Sequence, residues 1–398
     1  MKTILKAYKF RIYPSNSQID YLNQVFGDVR FVWNQLVANF NNYNTPDFKE
    51  KFNEKYIKEE HSFLKDSISY ALQQKRIDFD STKTQFFNKK RKKALGRIKF
   101  KKKGVSNDSF RLPAQALTNP LLFNENKIKL TKLGKVKCKF DRQPKGTLKS
   151  VTVSKTKSNK FFVSCLVEEE ISRKPKTGNA VGIDLGLKEL LTLSNGDVIN
   201  NPRWFKESQF KLAMAQKHLS RKTKGSNRYN KQKLKVAKLH EQISNQRSWY
   251  THNVTNAIVD QFDIICLEDL NIQGMSKNHK LAKSINDASL SEIVRQLEYK
   301  AEWYGKTVIK VDRFYPSSKT CSSCGNIKHD LKLSDRVYVC NECNTKIDRD
   351  LNASINILNN GITVNSVEAT DYSRGEEIRL EECLHSNIAS SMKRLENY

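Results

Sequence analysis

Apolar and polar residues alternate from Ile4 to Tyr13 (ILKAYKFRIY), with β-branched and aromatic side chains at the apolar positions, and Pro14 ends the run. A two-residue period of this kind predicts a strand. The period then lengthens. Ile19, Leu22, Val25 and Phe26 share one face of a helix that Ser15 or Ser17 would cap, and Val29, Val32, Trp33 and Leu36 carry the stripe past Gly27. A second helical run covers about 63–93 through Leu64, Ile68, Ala71, Leu72, Phe79 and Phe86. Alternation returns between about 112 and 170, at Val151 and Val153 and again at Phe161, Val163, Cys165 and Val167, with Ser158-Asn159 as the hairpin turn between them. A small β-barrel of these strands and the N-terminal one, with the helical module inserted, accounts for this half. Residues 173–179 (RKPKTGN) read as a linker.

The second half alternates longer elements. Residues 180–200 read as strand, turn, strand, turn, short strand, and about 203–260 as a long basic helical stretch. FDIICLEDLN (262–271) is a buried strand ending in a carboxylate pair. SLSEIVRQLEYKAEWY (289–304) is a helix with Ile293, Leu297 and Ala301 on its apolar face and Gly305 as its stop, and KTVIKVD (306–312) is another strand. DRDLNASINILNNG reads as a last helix with an aspartate cap and a glycine stop, and the polar, glutamate-rich residues 362–398 as a disordered tail.

Three acids stand at the ends of these elements: Asp184 in GIDLG, Glu268 ending its strand, and Asp350 opening the last helix. Singly, each has an ordinary explanation as a turn former, an exposed strand end or an N-cap. Their order, with a hairpin, a helix, a strand, a helix, a strand and a final helix, is that of an RNase H-like fold, where such acids converge on a mixed sheet. Hard oxygen ligands suit Mg²⁺ or Mn²⁺, and a pair of such ions supports phosphodiester hydrolysis.

Charge points the same way. The 398 residues carry 71 Lys and Arg against 42 Asp and Glu, a net +29, and a field of one sign this large calls for a polyanionic partner, nucleic acid above all. Two belts concentrate it: 89–104, with Lys89, Lys90, Arg91, Lys92, Lys93, Lys101, Lys102 and Lys103, and 220–247, with Arg221, Lys222, Lys224 and Arg228. Both are candidate phosphate contacts, with Phe100 and Tyr229 as bases' stacking partners or as core. No apolar run is long enough to span a bilayer, and the N-terminus has no secretory signal pattern. The expectation is a cytoplasmic protein with reduced thiols. On that basis Cys138, Cys165 and Cys266 are buried small hydrophobes, Cys383 is scattered, and Cys321, Cys324, Cys340 and Cys343 form a C-x₂-C, fifteen residues, C-x₂-C pattern that predicts a four-thiolate zinc site rather than disulfides. Its role is to staple a small insertion, to fix the chain ahead of Asp350, or to guide nucleic acid.

Taken together, GIDLG, LEDLN, DASLSEIVRQLEYKAEWYG, VDRFYPSSKTCSSCG, VCNEC and DRDLNASINIL, with KAYKFRIYPSNSQ and RFVWNQL near the start and SRGEEIRL near the end, resemble the TnpB family, the transposon-encoded relatives of type V CRISPR effectors. The resemblance spans essentially the whole chain. It implies an RNA-guided DNA endonuclease, a monomeric ribonucleoprotein whose transposon-derived guide RNA directs cleavage of double-stranded DNA beside a short transposon-adjacent motif. It implies a wedge-type β-barrel at 1–13 and 113–175, a helical recognition module at 14–112, a split RuvC-like nuclease domain at 176–314 and 345–361, and a zinc-binding insertion at 315–344. It assigns catalysis to Asp184, Glu268 and Asp350, with Asp348 beside the site, zinc to the four clustered cysteines, and adjacent-motif contact to Gln73; Arg295 and Lys300 fall in its best-matched helix as backbone or RNA contacts. An RNA-guided repressor without cleavage, a guide-independent transposon nuclease and a small type V effector are the competing readings.

Overall fold

The computed structural model describes residues 2–41, 53–88, 97–279, 281–332 and 334–371. Lys89, Lys90, Arg91, Lys92, Lys93, Cys383 and the tail from 372 lie outside them. The chain is mixed α/β and divides into two compact units, Thr3–Glu170 with Lys233–Lys238, and Ile171–Gln232 with Leu239–Tyr398 and the first two residues.

In the first unit, strand β1 (Lys2–Tyr13) leads into helix α1 (Asn16–Asn41). Ser15, not Ser17, starts this helix: its carbonyl accepts from Ile19 N at 2.8 Å, and its own N–H donates to Gln18 Oε1 at 3.0 Å. Gln18 N donates in return to Ser15 Oγ at 3.4 Å, which completes a capping box. Gly27 leaves α1 unbroken. Helices α2 (Glu54–Glu60) and α3 (Ser69–Phe87) follow, then β2 (Asp108–Pro113), β3 (Leu121–Leu122), β4 (Lys127–Leu130), β5 (Gly134–Lys139), β6 (Thr147–Lys155) and β7 (Phe161–Ile171). The sheet order is β2-β6-β7-β1-β5-β4-β3. The β6–β7 hairpin turns at Asn159, whose φ of 62° is the left-handed conformation asparagine tolerates. Phe10, Ile12, Phe110, Val151 and Val163 of the sheet and Leu22, Val25, Val32, Leu72 and Phe79 of the helices form one core. Cys138 and Cys165 sit inside it, as expected of small hydrophobes.

The second unit has β8 (Ala180–Leu185), β9 (Glu189–Leu193), β10 (Val198–Asn200), α4 (Trp204–Ser220), α5 (Asn227–Gln261), β11 (Ile264–Glu268), α6 (Ile272–Met275), α7 (Ala282–Ala288), α8 (Leu290–Tyr304), β12 (Thr307–Val311), β13 (Val337–Val339), β14 (Lys346–Asp348) and α9 (Arg349–Asp371). The basic stretch is thus two helices, separated around Gly225, whose φ is 90°. The five-stranded sheet runs β10-β9-β8-β11-β12. β8, β9 and β10 pair antiparallel, while β11 pairs parallel to both β8 and β12. Strands covered on both faces are apolar nearly throughout, and this sheet shows why. Val181, Ile183, Ile265 and Leu267 pack with Val254 and Ile258 of α5 and Ile293 and Leu297 of α8. Ala180, Ile264, Cys266 and Val311 pack with Ile357, Leu358 and Ile362 of α9.

Helix α9 corrects the expected glycine stop at 361 and the tail beginning at 362, since it continues to Asp371. Gly361 is selected by packing, because an added Cβ would lie 2.5 Å from Cys266 Sγ. Gly182 is tighter still: a Cβ there would meet Ser354 O at 2.0 Å and Leu358 N at 2.6 Å, both backbone atoms of α9. We therefore expect Gly182→Ala to lift α9 off β8 and destabilise the unit by about 3 kcal/mol; a thermal melt within 1 °C of wild type would contradict this contact.

The start of the sheet is tied by one carboxylate. Asp263, just ahead of β11, accepts from Thr177 N at 2.8 Å and Gly178 N at 2.7 Å and pairs with the buried ammonium of Lys306, ahead of β12. Burial pushes its pKa up, but the Lys306 hydrogen bond and the two amides outweigh it and hold the carboxyl below the usual range. A carboxyl with a depressed folded pKa stabilises above its unfolded value near 3.9 and loses that stabilisation as pH falls through the folded one. Asp263→Asn leaves Lys306 buried without its counter-charge, so it should cost about 3 kcal/mol at pH 7 in urea unfolding, with a smaller penalty below pH ~4. A penalty independent of pH would show that the pair is not what ties the strands.

A carboxylate cluster joined to a four-cysteine knuckle

Side-chain alternation decides where the three acids point. Gly182 faces α9, so Asp184, two residues on, faces it too; Cys266 faces α9, so Glu268 does as well. β8 and β11 run in parallel register with Ile183 opposite Leu267, which sets Asp184 and Glu268 side by side at the carboxyl ends of their strands. Asp350 occupies the first turn of α9 on that same face. The three come from segments far apart in sequence and meet where parallel strands end.

Their electrostatics register the meeting. Burial, then the like charges of Asp350 and Glu268, pushes the Asp184 carboxyl up to about 7, and burial also raises Glu268. Arg349 opposes the rise at Asp184. This arginine is absent from the sequence reading; its only signal is its place between two aspartates. Asp348 is the helix cap. Its Oδ1 accepts from Asp350 N at 2.9 Å and Leu351 N at 3.0 Å, which occupies it with backbone, while the Asp350 carboxylate lies beside Arg349, 3.4 Å away, and Arg336, 3.9 Å away. Among the described residues, only the four cysteines gather their ligand atoms within 4.8 Å of one another, so the acids are neighbours without being drawn into contact. Half-buried carboxylates gathered at one set of strand ends, with like charges raising Asp184, form a donor set suited to a hard divalent cation.

The cysteines are closer. Cys321 Sγ lies 3.6 Å from Cys343 Sγ, and Cys324 Sγ 3.6 Å from Cys340 Sγ. Tetrahedral thiolates around zinc stand ~3.8 Å apart at the usual Zn–S length, so the set fits the metal. Each C-x₂-C pair turns through a left-handed residue just after its second cysteine, Gly325 at φ 77° and Asn344 at φ 57°. Glycine takes this conformation at no steric cost, and asparagine tolerates it. The turns close with Gly325 N donating to Cys321 O at 2.9 Å and Cys340 N donating to Thr345 O at 2.9 Å. The Thr345 hydroxyl, 3.1 Å from Cys343 Sγ, is the largest influence drawing that thiol down to about 6, while Cys324, though drawn down by the Asn326 amide, is pushed up to about 12 by hydrogen bonds among the sulfurs.

The knuckle is fused to the carboxylate cluster. β14 runs directly into α9. Asn352 of α9 accepts from Ser322 N at 3.0 Å and donates to Thr320 O at 2.7 Å, and Asn356 donates to Ser317 O and Thr320 O at 2.8 and 2.7 Å. Tyr338 and Ile347 pack with Leu351 and Ile355 beneath the thiols.

Other expected contacts divide. Lys102, Lys103, Arg221, Lys224 and Arg228 are exposed, and Gln73 and Lys222 half-buried. Lys101 is drawn inward, its ammonium 3.9 Å from the Trp33 ring centroid, and burial lowers it to about 8. Lys300 is a correction. It is buried and donates to Thr255 Oγ1 at 2.6 Å and His252 O at 3.0 Å, because a long lysine stem on the apolar side of α8 reaches α5 before it reaches solvent. Arg295 pairs with Glu292. No helix among the described residues is long and apolar enough to cross a membrane.

Three family models match: "Probable transposase" over residues 162–279, "Cas12f1-like, TNB domain" over 291–357, and "Helix-turn-helix domain" over 1–44. The last description does not fit this chain, where residues 2–41 form one strand and one helix. A "Putative RNA-guided DNA endonuclease" of Streptomyces pristinaespiralis is 33% identical over 380 residues, covering 92% of each chain. The "Putative RNA-guided DNA endonuclease InsQ" of Escherichia coli (strain K12) is 33% identical over 390 residues, 90% of this chain and 93% of that one. Among solved structures, one described as "Cryo-EM structure of the Cas12f1-sgRNA-target DNA complex" matches 89% of this chain and 99% of its own at 17% identity, with a TM-score of 0.36, too loose to carry positions across. Identity of one third sustained over nine-tenths of both chains leaves one conclusion: the protein belongs to the TnpB/IS605 OrfB family.

Proposed function

We propose that the protein is an RNA-guided DNA endonuclease that hydrolyses phosphodiesters at Asp184, Glu268 and Asp350. The observation that carries the chemistry is the convergence of these three acids on the α9 face of the sheet, where the like charges of Asp350 and Glu268 add to the cost of ionising Asp184, in a chain of net charge +29. The relatives' printed activity supports the guide and the DNA target. The mixed sheet with α9 across it serves as the RuvC-like, RNase H-type domain, the seven-stranded sheet with α1 to α3 as the wedge barrel and recognition module, and the cysteine knuckle as the zinc-bearing insertion.

Mg²⁺ or Mn²⁺ bound by the trio would supply an activated water and neutralise charge on the leaving oxygen. The chain does the rest. Asp184 and Glu268 present their carboxylates from strands that packing on both faces makes rigid. Asp350 is aimed from a helix whose first turn Asp348 caps. Arg349 holds positive charge beside the cluster, where the scissile phosphate must sit. Base pairing with the guide reads the sequence, and the exposed lysines and arginines hold the phosphates of RNA and heteroduplex.

The test is to express the protein with its native downstream flank and sequence the RNA that copurifies. A single species with a constant 5′ scaffold and a variable 3′ end, able to direct Mg²⁺-dependent cutting of a matched duplex, is the expected result. Cutting by RNA-free protein would favour the guide-independent nuclease, and guided binding without product in any metal the repressor. The intact trio argues against the repressor.

A further inference from the structure

We propose that a groove next to Glu268 seats one unpaired base of the DNA being cut, with Phe314 as its stacking platform; the proposal rests on the nuclease reading above. The groove has a volume of about 710 Å³ and is walled by Val311, Asp312, Phe314 and Tyr315 on one side and by Asn360 and Gly361 of α9 on the other. This is the size range of small-ligand sites. Its place follows from the sheet. Glu268 and Val311 are register partners, Asp269 N donates to Val311 O at 2.9 Å, and Val311 packs against α9. The groove therefore opens at the same strand ends, and on the same face, as the carboxylate cluster.

Phe314 is 85% exposed, more than any other large hydrophobic side chain among the described residues. A single exposed aromatic is ordinary on a surface. This one is held in place. Its N–H donates to Asp312 Oδ1 at 2.8 Å, Tyr315 N donates to Asp312 O at 3.0 Å, and Ser317 N to Tyr315 O at 2.8 Å. Arg313 on its other side is locked to Asp269. Tyr315 anchors the turn against the α9 core. A rigid turn that holds an aromatic ring out over a groove is built for stacking, and stacking accepts any base.

Charge says which part of a nucleotide enters. Lys310 and Arg313 are committed to Glu298 and Asp269, which leaves Asp312 as the unbalanced charge of the groove wall. That wall repels phosphate and offers acceptors to a base edge, while the phosphate stays at the cluster next door. A base held here would fix the strand's register at the cut, in whatever sequence the guide selects.

The experiment uses the guide-loaded protein with a matched duplex in which 2-aminopurine is stepped through both strands. Ca²⁺ replaces Mg²⁺ so that binding is read without cutting. We expect one position next to the cleavage site to be quenched in wild type, released severalfold by Phe314→Ala and quenched again by Phe314→Trp. In Mg²⁺, Phe314→Ala should raise KM roughly five- to a hundredfold, the worth of one stacked base, with a smaller change in kcat. Equal fluorescence of wild type and Phe314→Ala at every DNA position, a quench that appears only with 2-aminopurine in the guide RNA, or an unchanged KM would overturn the proposal. Failure of wild type to cut at all would instead remove the nuclease reading, and the fluorescence scan would still decide whether a base sits on Phe314.

Discussion

Asp184→Asn should abolish DNA cleavage, by about 10³-fold or more, while guided binding to the same duplex stays within about twofold of wild type. On the proposed reading, the loss follows from removing a carboxylate from the trio that would hold the cation, worth several kcal/mol at the transition state. Stability should move the other way. The folded pKa of Asp184 is raised, to about 7, by burial and by Asp350 and Glu268. A carboxyl with a raised folded pKa costs stability as pH climbs from its unfolded value near 3.9 through the folded one. Near neutrality the metal-free protein carries that cost, and the asparagine does not. Asp184→Asn should therefore melt higher than wild type without divalent ion at pH 8, by something on the order of 2 kcal/mol, and the advantage should vanish below pH 4. Millimolar Mg²⁺ should raise the melting temperature of wild type and leave the variant nearly unmoved. A variant that melts lower at pH 8 and still cuts would mean Asp184 is only a strand-end residue.

Much of this site was legible before any coordinates, for a physical reason in each case. Glu268 ends a strand whose apolar run admits no other polar residue, so its position at a sheet terminus is forced by periodicity. Gly305, at φ 72°, ends α8 as a glycine after an amphipathic run should. The cysteine spacing needs only two short turns to close. What was hidden depends on contacts between distant segments. Gly361 looks like a helix stop because glycine lacks helix propensity, yet it sits within α9 so that Cys266 fits against it. Lys300 looks like a surface cation, but α5 lies where solvent would be. Asp348 and Asp350 stand two residues apart in DRD; the resemblance assigns the site to Asp350, and the physical reason, that Asp348 is taken up by cap bonds from Asp350 N and Leu351 N, is visible only in the structure.

The knuckle beside those aspartates leads to the second large effect. Cys340→Ser should release zinc, and with it cleavage, although no acid is touched. Four thiolates contribute roughly 10–16 kcal/mol of metal-binding free energy that is also folding free energy, and the small apolar cluster of Tyr338, Ile347, Leu351 and Ile355 is too thin to hold the turns closed alone. When they open, Asn352 and Asn356 lose Ser317, Thr320 and Ser322, and the first turn of α9 loses what fixes it to the chain ahead. Asp350 sits in that turn, so its aim at Asp184 goes with it. Wild type should bind one zinc per chain by elemental analysis, and Cys340→Ser none, with cleavage down at least a hundredfold, since small misplacement of a metal-binding carboxylate is enough. Asn352→Ala separates the two roles: zinc content should stay at one per chain while cleavage falls about tenfold, because only the clamp between knuckle and helix is cut. If Cys340→Ser cut DNA normally after losing its zinc, the knuckle would be a staple for its own insertion and nothing more.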